Sequence, residues 1–315
     1  MSGVAQGCGS KAPELRATNR LETFAFTPAS ALEDRISAVP LEVLEYFRAE
    51  DKRPDYASYS PSMDEKKLLL DYLRLLPAVY ERVFRARCAG IYFISGFTGA
   101  GVTDWVIGPG QKVYFYIILN PGSFKKSLSQ TLTERERSCF SGRNGWDVRI
   151  EAGGGYKGVF YALAHEATHG LDYALGITPY TDNTMPEYYR PKKHIAGDLF
   201  MKTWAGYSQP HAGSDFPGRD RTTFYGLGGG PKLDISEAPA LYKGLAGSGF
   251  VSLYGARTWA EDLAELATFG VLAKKPGQPY AIVLRTPAET FRVEPMRGAA
   301  GARAAEALGY MEKIK

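Results

Sequence analysis

Between residues 159 and 175 nearly every position is apolar: Val159, Phe160, Ala162, Leu163, Ala164, Ala167, Leu171, Ala174 and Leu175. Glycines at 153–155 break what precedes, and Gly176 followed by Pro179 closes the run. The pattern predicts a helix that is apolar almost all round, which only a buried helix tolerates. Leu263, Ala264, Leu266, Ala267 and Phe269 predict a second such helix. Upstream, Ser62 and Glu65 form a capping box for a helix reaching about Arg87, with Leu68, Leu69, Tyr72, Leu73, Leu75 and Leu76 at helical spacing and Pro77 at a kink or break. Residues 91–94, 104–107 and 113–119 read as strands separated by Gly-rich turns such as Pro109-Gly110. Residues 125–139 read as a helix polar on one side, and 147–151 as another short strand.

The remaining segments are less regular. Residues 1–61 read as a weakly structured extension with one short helix near Leu41 to Arg48, after Pro40. Residues 177–249 are rich in Gly, Pro, Tyr and polar side chains, with short helices near 194–204 and 236–245 and a turn at Gly226 to Gly230. They form an insertion between the two apolar helices, expected to roof a cleft. A strand at 281–285 and a final helix from about Pro295 complete the chain. This order predicts an α+β domain over 62–315, with a helical amino-terminal part and a small mixed sheet beside the apolar helix pair. An edge of that sheet, 113–120 or 147–151, is expected to hold an extended peptide by backbone pairing.

Polar residues inside the first apolar helix carry the chemistry. His165-Glu166-Ala167-Thr168-His169 places two imidazoles four residues apart, on one helical face. Glu166 is turned away by about 100° per residue, beside a shared metal ion instead of on it. There its carboxylate can take a proton from water, as the zinc-hydrolase pattern requires. Such groups are expensive in an apolar helix unless partnered, and the chain has only four histidines. The longer pattern with a third histidine needs glycine at position 172 and histidine at position 175; Asp172 and Leu175 stand there, so that class is excluded. Asp172 is expected to cap or tether the helix end. The second apolar helix offers Glu261 and Glu265, again four apart. Glu261 is the expected third metal ligand, and Glu265 the carboxylate that orients His165 or His169 through the other ring N–H.

These two blocks, His-Glu-x-x-His-Gly-Leu-Asp and Ser252-Leu-Tyr254-Gly-Ala-Arg257-Thr258-x-x-Glu261-x-x-Ala264-Glu265, resemble the catalytic domain of anthrax lethal factor and its bacterial relatives. Those are gluzincin metallopeptidases. The resemblance implies a zincin-like fold, a Zn2+ ion on His165, His169 and Glu261, and a zinc-dependent endopeptidase in which Glu166 is the general base. It also implies a role for Tyr254, seven residues before Glu261, as general acid or oxyanion donor. It covers roughly residues 162–175 and 250–270. The segment from His169 to Glu261 is considerably longer than in the family's best-known member, and nothing in the amino-terminal part resembles toxin translocation segments. A toxin's substrate preference therefore does not carry over.

Composition bounds the alternatives. With 38 Lys+Arg against 34 Asp+Glu, dispersed along the chain, no basic patch points to nucleic acid, and Lys192-Lys193-His194 reads as a solvated loop. No apolar run approaches the roughly 18 residues of a membrane span. Gly226 to Gly230 lacks the Lys-Ser/Thr of a phosphate loop, and His194 and His211 read as surface residues. Val4-Ala5-Gln6-Gly7-Cys8 looks like the end of a bacterial lipoprotein signal, which sets the expectation of a lipid anchor at Cys8 and an extracytoplasmic, periplasmic or secreted, location. Cys88 and Cys139 are either a disulfide or two buried thiols; spacing does not choose. Two competing classes stand beside the peptidase, whose partner is a protein or peptide: a lipoprotein-like binding module with a non-catalytic zincin fold, and a zinc hydrolase for a non-peptide amide.

Overall fold

The computed structural model describes residues 12–143, 145–192, 194–275 and 278–314. Its main sheet follows from one run, Val113–Leu119, which is apolar on both faces. This strand, β5, lies between β3 (Cys88–Ser95), to which it is parallel, and β4 (Gly101–Ile107), to which it is antiparallel. β1 (Ile36–Ala38) extends the sheet beyond β3 and is parallel to it, while β2 (Ala57–Ser58) pairs antiparallel with the end of β3. An apolar period of one instead of two marks a strand covered on both sides. Phe115, Ile117 and Leu119 enter one hydrophobic cluster, and Tyr116 and Ile118 the other.

This corrects the expectation that 113–120 is a peptide-holding edge: that strand is central, and the free edge is β4. The other candidate, Asp147–Glu151, belongs to a separate antiparallel sheet with Ala281–Arg285 and Thr290–Val293. The amino-terminal extension is also corrected. Phe24, Val39, Val43, Leu44, Phe47 and Tyr56 are buried against the outer face of the main sheet, and α1 (Leu41–Glu50) lies there. Residues 12–61 are thus packed structure, and β1 pairs across the expected boundary at residue 61.

The inner face carries the helices. The single long helix expected from Ser62 divides at Pro77 into α2 (Met63–Leu73), whose Ser62/Glu65 capping box is present, and α3 (Ala78–Arg87). α4 (Leu128–Arg137) follows, then α5 (Gly158–Leu175), buried along nearly its whole length. α5 ends where Gly176, at φ +65°, turns left-handed and its N–H returns to Asp172 O. The insertion holds the short α6 (Gly197–Met201) and α7 (Ala238–Ser248); α8 (Trp259–Ala273) and α9 (Ala299–Lys313) complete the layer. Among the described residues no helix is long and apolar enough to cross a membrane. Cys88 and Cys139 are buried free thiols, and Cys8 lies outside the described residues.

Gly170 sets how closely α5 approaches the sheet: a Cβ there would stand 2.4 Å from the ring of Phe115. Gly170→Ala therefore overpacks the interface that carries the histidines. The expected cost is about 1–3 kcal/mol, read as a lower urea midpoint with an unchanged slope. An unchanged midpoint would show that α5 can shift without penalty.

Candidate metal centre

α5 and α8 cross so that their polar residues meet. Thr258 caps α8, its hydroxyl accepting the N–H of Glu261 at 3.1 Å. This fixes Glu261 in the first turn, where the positive end of the helix favours a carboxylate. Glu261 Oε2 lies 2.9 Å from His165 Nε2 and 3.5 Å from His169 Nε2, and the two nitrogens are 3.1 Å apart. Despite these distances, the buried Oε2 accepts no hydrogen bond of adequate direction. Three electron-pair donors therefore point at one place. Ligands on Zn2+ at 2.0–2.1 Å with tetrahedral angles stand about 3.3 Å apart, so the trio fits that ion. His165, His169 and Glu261 are the one such cluster among the described residues. His211 is occupied with Met201 O at the surface, and His194 is exposed.

Glu265 lies one turn beyond Glu261 and is fully buried. Its Oε1 takes the phenol of Tyr161 at 2.7 Å and faces His165 Nδ1 at 3.0 Å; its Oε2 takes Arg135 Nη1 at 2.9 Å and the Ser252 hydroxyl at 2.5 Å. A carboxylate with four partners is fixed, and it turns His165 so that Nε2 faces His169 Nε2 and Glu261 Oε2. Asp262, between the two glutamates, faces away and holds Trp204 Nε1 at 2.8 Å and Arg303 Nη2 at 2.5 Å. Asp172 tethers the chain after α5 through the N–H and hydroxyl of Thr178, at 2.7 and 2.5 Å.

Glu166 lies beside the trio, against the start of β4. Thr103 Oγ1 donates to its Oε2 at 2.8 Å, and a Cβ on Gly101 would stand 3.0 Å from its Cγ. Tyr254 packs its ring 5.6 Å from that of His165, centre to centre, and against Phe224 of the insertion. The trio together with Glu166, Thr103 and Tyr254, and with Thr181, Asp182 and Tyr207 of the insertion, lines a cavity of about 220 Å³. The insertion thus forms one wall of the cavity.

Burial and charge separate the three glutamates. Burial raises the Glu166 carboxyl above its ordinary value, only partly offset by the nearby imidazoles. For Glu261, burial acts upward but is outweighed by His165 and His169, which hold it far below the carboxylate range. Glu265 is lowered to about 2, because the attraction of Arg135 and His165 exceeds the same burial effect. His165 is pushed up to about 10: burial alone would lower it, but Glu261 and Glu265 face both ring nitrogens. Burial, then the neighbouring Glu261 carboxylate, raise the Tyr254 phenol well above its ordinary value, so it remains a donor.

Arg135 and Tyr161 were not singled out in the sequence, and the strand read at 104–107 carried no role at the site. A signal for Arg135 exists. It lies seven residues after Leu128 and three after Leu132, on the apolar stripe of α4, where a cation without a partner is untenable. Comparison with protein-family models, with curated proteins and with solved structures finds no match in any of the three.

Two outcomes follow for this centre. Glu265→Gln is expected to weaken zinc binding by roughly 10–100-fold, measured by chelator competition; wild-type affinity would remove Glu265 from the support of His165. In the metal-free protein the His165 proton, held to about 10 against an ordinary 6.5, contributes stability that is complete below pH 6.5 and is lost as pH rises through 10. The melting temperature of chelator-treated protein should fall between pH 7 and 10 more steeply than that of zinc-loaded protein, in which that proton is displaced. Parallel curves would contradict this.

Proposed function

We propose that this protein is a zinc-dependent endopeptidase of zincin-like architecture. The observation that carries the reading is the unbonded Glu261 Oε2 beside two converging imidazole nitrogens, with Glu166 and Tyr254 lining the same cavity. The resemblance of the two sequence blocks to gluzincin peptidases supports it, as does a main sheet whose antiparallel edge strand borders the metal helix.

His165, His169 and Glu261 would hold the ion, which supplies Lewis acidity for a carbonyl and makes bound water easier to deprotonate. Glu166 takes the proton of the attacking water and passes it to the leaving nitrogen. Its raised affinity for a proton suits both transfers near neutral pH. Thr103 keeps that carboxylate in place. Tyr254 donates its phenol proton in a hydrogen bond to the oxygen that gains charge as the carbonyl becomes tetrahedral. β4 supplies the substrate platform. Asn120 N donates to Ala100 O, and strict pairing with β5 follows, so the backbone groups of Gly101 and Thr103 face away from the sheet. An extended peptide can pair with them. A binding module without turnover gives no reason for a carboxyl of raised pKa to adjoin the trio.

Glu166→Gln is expected to retain zinc while peptide hydrolysis falls by at least about 100-fold, measured by metal analysis alongside cleavage of a peptide library. Tyr254→Phe should lower kcat by about 100-fold with KM little changed. Glu261→Ala should lose zinc. Full activity in the Gln variant would discard Glu166 as the base, and full metal content in the Ala variant would move the third ligand elsewhere.

A further inference from the structure

The groove along β4 is not open at both ends. Thr103 and Gly101 offer outward backbone groups, but the next outward carbonyl, that of Trp105, already accepts Asn19 Nδ2 at 2.6 Å, and Ile107 is bridged in parallel by Arg20. A strand advances about 3.3–3.4 Å per residue, so this stop lies roughly 7 Å past Thr103. Tyr189, packed over the indole of Trp105, adds to the barrier. A peptide lying on Thr103 with its scissile bond at Glu166 thus has room for only one or two residues on that side.

The cavity wall carries one ionisable group outside the converging donors, Glu166 and the phenols: Asp182, which stands close enough to Asp104, the neighbour of Trp105, to repel that carboxylate. The Asp182 carboxylate is held rigidly, Oδ1 accepting Thr184 N at 2.7 Å and Oδ2 the Thr184 hydroxyl at 2.6 Å. Among the described residues no cation forms an ion pair with it: Arg16 is turned to Asp104 and Tyr46, and Arg190, which reaches the same loop, donates to Asn183 O at 2.7 Å and to Met185 O at 2.8 Å. Asp182 thus faces the cavity without an ion-pair partner, where the substrate chain must end or leave the groove.

We propose that Asp182 receives a cationic nitrogen of the substrate, in the first place the free amino terminus of a peptide that stops at the closed end. A lysine or arginine side chain within one or two residues of the scissile bond offers the same chemistry. The inference rests on the peptidase reading and narrows it: amide bonds close to an amino terminus are cut preferentially. Asp182 is a specificity residue and takes no part in the bond-breaking step.

Binding, measured apart from turnover, tests it. Zinc-loaded Glu166→Gln protein is titrated calorimetrically with tetra-alanine amide, its N-acetyl form, and N-acetyl-Lys-Ala-Ala-Ala amide. The free amine is expected to bind at least about tenfold tighter than the acetylated tetra-alanine, as a charge-assisted hydrogen bond requires. Adding Asp182→Asn, which keeps an acceptor for Thr184 N, should abolish the difference without lowering the melting temperature. If the acetylated lysine peptide regains the affinity and loses it again with Asp182→Asn, the side chain is the source. Equal binding of all three, absence of binding, or a preference that survives Asp182→Asn overturns the subsite. A preference dependent on Asp182 in a wild-type protein that cleaves no peptide would instead overturn the peptidase reading and leave the subsite standing.

Discussion

A carboxylate oxygen, Glu261 Oε2, is sealed from water within 3.5 Å of two imidazole nitrogens and receives no properly directed hydrogen bond. The anion depends on those two imidazoles for its charge, so the placement of all three side chains must be fixed by their surroundings. Two devices achieve this. Thr258 and the amino end of α8 fix Glu261, and the buried set Arg135, Tyr161, Ser252 and Glu265 fixes His165. The second set extends outward: Glu136 also pairs with Arg135, and the Tyr242 phenol donates to Glu136 at 2.8 Å. The centre is therefore braced from α4 and α7 as well as from the two helices that supply its donors.

Legibility in the sequence followed the range of the interaction. The three converging donors and the carboxylate that orients one of them are local in pattern: His165 and His169 four apart on one apolar helix, Glu261 and Glu265 four apart on another. Period and spacing suffice to place both pairs. Asp262, flanked by both glutamates, shows where the pattern is silent, because its partners Trp204 and Arg303 are 58 and 41 residues away. Arg135 is hidden for the same reason, since its partner Glu265 lies 130 residues on. The misassigned edge strand has a different cause. Residues 113–119 show no alternation of apolar and polar positions, which requires cover on both faces. That cover comes from residues 12–61, whose Phe24, Val43, Phe47 and Tyr56 are too widely spaced to read as one surface before the chain is folded.

The same geometry explains why three glutamates within one centre, two of them buried and Glu261 partly so, differ in their hold on a proton. Burial pushes all three toward the neutral form. Glu261 is drawn back by two imidazoles and Glu265 by Arg135 and His165, so each stays an anion that can hold charge or orient a ring. Glu166 has only the hydroxyl of Thr103 and the flank of the imidazoles, and it alone keeps the raised value that makes proton exchange easy. Roles divided by environment, among residues of one chemical type, are how a site runs acid and base steps at one pH. Exchange of Arg135 for an apolar residue would erase that division from a distance, for Glu265 and Glu136 would then be buried without a cation and compete with Glu166 for protons.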